Sequence, residues 1–188
     1  MNKAAFLDRD GVINQKAPEG HYVTRWEEMH FLPGADKAIA LLARAGFRVI
    51  VVSNQRCVAK GLLTERELES LHQRMCNALL DSGAVIDGVY YCPHDKQPPC
   101  NCRKPAPGLL YAAARAHQID LSASWMIGDS DIDVKAGRNA GCRTARVLGG
   151  NGHANGNGDH GGAHADIVAP SLLEAVRLIL NQDRALTT

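Results

Sequence analysis

The chain has 188 residues, 45% of them hydrophobic and 22% charged, which suits one α/β domain with a single core and leaves little for a second. A formal net charge of +1 gives no reason to propose a nucleic-acid or membrane partner, and no apolar stretch is long enough to span a bilayer. The N-terminus enters a strand straight after Lys3 without the pattern of a signal peptide, so a cytoplasmic monomer is expected, its six cysteines serving as thiols or metal ligands rather than disulfides.

The first element is an apolar strand running into Phe6-Leu7-Asp8-Arg9-Asp10-Gly11. Side chains alternate along a strand, so Asp8 and Asp10 leave it on the same side, close enough to share a cation and a phosphoryl group. Gly11 permits a tight turn that exposes both carboxylates at the carboxyl end of a sheet, although an ordinary Asp-Gly hairpin turn has the same local signature. Gln15 to Phe31 is polar with aromatic interruptions, too irregular for a helix, and reads as a loop folded over the site. Pro33-Gly34 opens a helix with Ala38, Ile39, Leu41 and Leu42 inward, ending at Gly46. Phe47 to Val52 is a nearly continuous apolar run, as in a strand buried on both faces of a parallel sheet.

Thr64 and Glu67 form a capping box for the next helix, whose Leu68, Leu71, Met75 and Leu79 recur at helical spacing and belong to the core. A strand is predicted near Val85 to Tyr91, a helix from Pro107 with Leu109, Leu110 and Ala113 inward, and a strand Trp125-Met126-Ile127 ending on Gly128-Asp129. Residues 149–162 are rich in glycine and asparagine, too poor in apolar side chains to offset ordering, and read as a flexible loop whose histidines are solvated. Ile167-Val168 and Ser171 to Leu180 complete the chain as a strand and a helix, Ser171 and Glu174 forming a second capping box before a frayed end. Strand and helix in alternation predict a doubly wound parallel sheet.

Chemistry-bearing residues collect at the strand ends. Ser53-Asn54-Gln55 presents a hydroxyl and two amides where phosphate oxygens need donors. Arg103-Lys104 places two cations near the N-terminus of the helix from Pro107, a combination suited to an anion. Gly128-Asp129, followed by Asp131 and Asp133, adds the hard oxygen ligands that Mg²⁺ requires. Between them, Cys92-Pro93-His94 and Cys100-Asn101-Cys102 supply three sulfurs and one imidazole, a complete tetrahedral Zn²⁺ set in a proline-rich loop of about 92–102. Four protein ligands leave no open position, so the site reads as structural; redox pairing of Cys100 with Cys102 is the other reading. The last of these ligands adjoins Arg103 and Lys104, so the metal would anchor the loop that delivers both cations.

Asp8-x-Asp10-Gly11, Ser53-Asn54, Lys104 and Gly128-Asp129-x-x-x-Asp133 together resemble the four motifs of the haloacid dehalogenase-like phosphatase superfamily, over residues 1 to about 150. The resemblance implies a single Rossmann-like domain over 1–188, catalytic Mg²⁺ and an aspartyl-phosphate intermediate. It makes Asp8 the nucleophile and Asp10 the acid/base, sets Ser53 and Lys104 on the transferring phosphoryl oxygens, and gives Asp8, Asp10 (through its main-chain carbonyl) and Asp129 to the metal. The inserted Cys-x-His…Cys-x-Cys-Arg-Lys-Pro loop and the lack of a large cap domain are similar to the branch acting on heptose bisphosphates and histidinol phosphate. That likeness implies a phosphorylated sugar as substrate and, with Ser53 and Lys104, assigns Gly20, His21, Tyr22, Asn54, Gln55 and Arg103 to its recognition. Departures from the pattern are the short spacer between the zinc half-sites, Ser130 where many members carry lysine, and the order Gly20-His21-Tyr22.

Overall fold

A computed structural model of the chain describes residues 1–149 and 164–185. The glycine-rich loop expected at 149–162 lies outside the described residues apart from Gly149, as does the chain end beyond 185. Six strands, β1 (Ala4–Leu7), β2 (Arg48–Asn54), β3 (Gly88–Cys92), β4 (Trp125–Gly128), β5 (Arg143–Val147) and β6 (Ile167–Ala169), form one parallel sheet in the order β3-β2-β1-β4-β5-β6. Five α-helices accompany them among the described residues, α1 (Ala35–Arg44), α2 (Glu65–Leu80), α3 (Gly108–His117), α4 (Asp131–Ala140) and α5 (Leu172–Ala185), together with one 3-10 turn at Trp26–Glu28 within the otherwise irregular loop of residues 15–31. None of these is long and apolar enough to cross a membrane.

Alternation along each central strand feeds two cores. Ala5 and Leu7, Val49 and Val51, Trp125 and Ile127 pack with α1, α2 and α5 on one face. Ala4 and Phe6, Ile50 and Val52, and Met126 pack with α3 and α4 on the other. Burial on both faces is why β1, β2 and β4 read as unbroken apolar runs. The order of strands reverses its direction of winding between β1 and β4, which parts the following loops and opens a crevice beyond the carboxyl ends of those two strands. Leu7 is in register with Ile127, and the Asp8 N–H continues the pairing onto the Ile127 carbonyl at 2.9 Å, so Asp8 and Asp129 emerge side by side.

Most predicted elements are present with small shifts. The α2 capping box forms as expected: Thr64 Oγ1 accepts from the Glu67 N–H (3.2 Å) and Glu67 Oε2 accepts from the Thr64 N–H (2.7 Å). The strand expected from Val85 begins only at Gly88, because the Asp87 carboxylate accepts from the Val49 N–H and from Arg48 and so ends the approach to β2 with a side chain. At α5 the Ser171 hydroxyl accepts from the Glu174 N–H, but the Glu174 carboxylate pairs with Arg177, and the helix runs on to Ala185. Strand β5 and helix α4 carry no clear apolar period. Arg143 and Arg146 interrupt β5, Arg146 pairing with Asp131 of α4 at 2.8 Å, while Gly137 sits on the buried face of α4.

Close approach at the end of β4 fixes the position of α4. A methyl group at Gly128 would lie 2.1 Å from the Asp133 Cβ. We expect Gly128→Ala to push α4 away from the sheet and destabilise the protein by about 1–3 kcal/mol, the usual cost of overpacking, seen as a lower denaturation midpoint at unchanged slope.

Candidate active site

After β1 the chain turns sharply, the Ile13 and Asn14 N–H groups both donating to the Arg9 carbonyl. Gly11 takes a φ of 89°, and a methyl group there would lie 2.4 Å from Asp129 Oδ2, so no other residue fits both the backbone and the space. Asp8 and Asp10 thereby line a cavity of about 350 Å³ at the crevice. Asp8 Oδ1 accepts from the Arg9 N–H (2.8 Å) and lies 2.9 Å from Lys104 Nζ. The same ammonium reaches Asp133 Oδ1 at 2.6 Å and donates to the Val52 carbonyl at 2.8 Å, which gives each of its three N–H groups an acceptor. Burial alone would lower the Lys104 pKa, but the charges of Asp8 and Asp133 outweigh it and keep the ammonium protonated. Asn54 brackets the Lys104 backbone, its Nδ2 donating to the Lys104 carbonyl and its Oδ1 accepting the Lys104 N–H, both at 3.0 Å.

Carboxylate oxygens of Asp8, Asp129 and Asp133 gather within 4.8 Å of one another. Asp133 Oδ2 accepts from the Ser130 N–H and hydroxyl, and Asp129 Oδ2 pairs with Lys16 at 2.8 Å. Burial pushes the Asp8 carboxyl up to about 7; Lys104 opposes the rise, while Asp133, Asp129 and Asp10 add to it. A buried cluster of hard oxygens that resists holding its own charge fits Mg²⁺, whose charge would relieve the repulsion.

The Asp10 carboxylate lies outside this group of three and is held by other donors. Arg9 reaches it through Nε (3.1 Å to Oδ1) and Nη2 (3.0 and 2.9 Å to the two oxygens), Asn14 Nδ2 at 2.9 Å and Gln55 Nε2 at 3.1 Å. Burial would raise the Asp10 pKa, but the Arg9 charge and these hydrogen bonds prevail and hold it below the usual carboxylate value.

Of the remaining predicted residues, Ser53, Asn54, Arg103, Gly20, His21 and Tyr22 all line the cavity, the last three from the loop of residues 15–31. Gln55 is buried behind it and donates to Ser53 Oγ at 2.7 Å as well as to Asp10. Sequence reasoning passed over Lys16, Arg9, Asn14 and His72. An arginine between two strand-end aspartates would leave an ideal strand on the opposite side from them; here the chain has already turned, and Arg9 folds back onto its neighbour.

Cys92, His94, Cys100 and Cys102 bring their ligand atoms within 4.8 Å of one another, with contacts of 3.2–3.6 Å. Zinc–sulfur bonds of about 2.3 Å in a tetrahedron place sulfurs about 3.8 Å apart, so the four donors fit Zn²⁺ with a small expansion. Cys92 is fixed by β3, and its carbonyl accepts from the Gln55 N–H at 2.8 Å, while the Gly108 N–H donates to the Asn101 carbonyl at 3.0 Å to seat the other half on α3. Arg103 Nη1 donates to the carbonyl of His94 at 3.1 Å, tying the cavity-lining arginine to the cluster.

Parallel sheet, strand-end carboxylates and buried lysine define a phosphatase of the haloacid dehalogenase-like class, and a HAD-hydrolase-like family model matches residues 101–175. The D-glycero-beta-D-manno-heptose-1,7-bisphosphate 7-phosphatase of Bordetella bronchiseptica is 39% identical over 150 residues, 80% of this chain and 83% of that protein. The enzyme of the same name from Escherichia coli is 40% identical over 140 residues, 71% of this chain and 72% of its own. The crystal structure of D,D-heptose 1,7-bisphosphate phosphatase from B. bronchiseptica, complexed with magnesium and phosphate, superposes with a TM-score of 0.86 at 35% identity, covering 96% of this chain and 99% of that one. The chain belongs to this family of haloacid dehalogenase-like phosphatases.

Two outcomes follow from the geometry. Asp8 has a folded-state pKa raised from 3.8 to about 7, so its charge costs stability above pH 7, and that cost fades as pH falls from 7 toward 3.8. Mg²⁺ bound by this cluster would offset the cost only where Asp8 is charged; its stabilising effect in thermal melts should therefore be larger at pH 8 than at pH 6, with apparent affinity falling by up to about tenfold per pH unit below 7. For the second cluster, elemental analysis of protein purified without chelators should find one zinc per chain, lost in Cys100→Ser. Hydrogen exchange should then rise around Arg103 and Lys104 before the sheet loosens.

Proposed function

We propose that the chain is a Mg²⁺-dependent phosphomonoesterase that removes the C7 phosphate of D-glycero-D-manno-heptose 1,7-bisphosphate, working in the cytoplasm in nucleotide-heptose synthesis. The observation that carries the chemistry is the Asp8 carboxylate fixed by Lys104 beside Asp129 and Asp133, with Asp10 on a separate set of donors. The substrate reading is supported by what the similar proteins from B. bronchiseptica and E. coli are named for.

With Asp8 Oδ1 engaged by Lys104 and the Arg9 N–H, Oδ2 is the oxygen left to attack phosphorus. The bond to the sugar oxygen breaks, Asp10, protonated once the dianionic phosphate of the substrate sits beside it and raises its pKa, gives that oxygen a proton, and an aspartyl-phosphate remains on Asp8. Water then attacks the phosphorus while Asp10 takes back a proton, releasing inorganic phosphate and restoring Asp8. Mg²⁺, held by Asp8, Asp129 and the Asp10 carbonyl with Asp133 close by, would supply charge compensation to the phosphoryl oxygens. The Ser53 hydroxyl orients those oxygens from the protein side, and Lys104 adds its charge and reaches them by exchanging one of its present acceptors. Zn²⁺ held by Cys92, His94, Cys100 and Cys102 would have no open position and would serve the loop alone.

Recognition of the second phosphate falls to the loops, and Arg103 is the cavity-lining guanidinium best able to grip a dianion at two points. Asp8→Asn should abolish phosphate release with little change in melting temperature. Wild type should hydrolyse the heptose bisphosphate with far higher kcat/KM than histidinol phosphate, and Arg103→Ala should narrow the gap by about 1.5–3 kcal/mol, the range for a charged hydrogen bond. A wild-type preference for histidinol phosphate overturns the substrate assignment.

A further inference from the structure

We propose that His72 is a positioning residue for proton transfer by Asp10, acting through the buried Arg9 guanidinium; the role rests on the phosphatase reading above. Arg9 has no exposed surface, and its Nη1 meets His72 Nε2 at 3.1 Å while Nε and Nη2 hold both oxygens of Asp10. Guanidinium only donates, so Nε2 of His72 is the acceptor and the imidazole proton sits on Nδ1. Burial, helped by the Arg9 charge and opposed by Asp10, pushes the imidazole down to about 3, in keeping with a neutral acceptor facing the guanidinium at neutral pH.

The imidazole itself is braced. His72 lies on the buried face of α2, and its ring packs 5.6 Å from that of Tyr91, whose hydroxyl contacts Glu69 at 3.0 Å and Glu65 at 3.3 Å on the same helix. A planar guanidinium gripped at one edge by an aspartate still rotates about its stem; a second contact on Nη1 fixes its plane, and with it the plane of the Asp10 carboxylate. General acid catalysis depends on that plane, since the proton must be delivered along the line to the leaving oxygen.

A residue that only fills the core would affect all substrates alike, whereas a residue that aligns Asp10 matters only when the leaving group needs a proton. The test is kcat/KM for heptose 1,7-bisphosphate, whose C7 oxygen must leave as an alcohol, against p-nitrophenyl phosphate, whose nitrophenolate leaves unaided. We expect His72→Leu to lose about 10–100-fold on the bisphosphate, below the full worth of a general acid, and less than about threefold on the aryl ester. His72→Gln, which keeps an acceptor for Arg9, should recover most of the loss. Should His72→Leu not fold, His72→Phe, which keeps an aromatic ring and removes the acceptor, must show the same selective loss. Equal losses on both substrates, or no loss on either, overturn the proposal while leaving the phosphatase reading intact. Wild-type protein that releases phosphate from neither compound overturns both.

Discussion

One buried ammonium organises the crevice. Lys104 spans the ends of three neighbouring strands, touching Asp8 after β1, the carbonyl of Val52 in β2 and Asp133 in the helix after β4. Taking such a charge out of water is costly, and it is tolerated only because two carboxylates and a carbonyl replace its hydration shell. The dependence is mutual, since without the lysine two largely buried carboxylates would face each other uncompensated. Asn54 then holds the lysine from the backbone side, so a residue expected to meet substrate also sets the height of the buried cation.

Around this cation two aspartates of the same motif are tuned in opposite directions. Asp8 is crowded by burial and by like charges, which raise its pKa, while Asp10 sits among donors that lower it. The proposed roles call for the opposite tuning, an ionised Asp8 and a protonated Asp10, so the charge of Mg²⁺ beside Asp8 and of a substrate phosphate beside Asp10 would have to supply it; the turn at Gly11 is what allows one chain segment to enter both settings.

Much of this was legible because chemistry and geometry coincided in the spacing. Cys92, His94, Cys100 and Cys102 announce a tetrahedral site through ligand type alone, and the apolar runs of β1, β2 and β4 announce burial on two faces. Other parts depend on tertiary partners with no local trace. The Arg146–Asp131 pair is what lets β5 carry a charge, and α4 hides its small residues behind a polar exterior. His72 falls at helical spacing among Leu68, Leu71 and Met75 with nothing local to set it apart, and its contact with Arg9, more than sixty residues away, exists only because Arg9 folds back to meet it. Gln55, expected beside substrate, is instead buried as a strut between Ser53 and Asp10, a difference that the side-chain type could not reveal.

Lys16 gives the cavity a further property. Its ammonium extends from the loop over the crevice with 62% of its side chain in solvent, yet ends on Asp129 within the carboxylate cluster. A divalent ion arriving there exchanges with a resident monovalent one, so the local charge rises by one unit rather than two. The affinity of such a site falls less steeply with ionic strength than that of a bare triad of carboxylates, because part of the screening has been built into the chain. The loop that carries Lys16 also carries Gly20, His21 and Tyr22, so the contact of the lysine with Asp129 ties this part of the cavity wall to the carboxylate cluster.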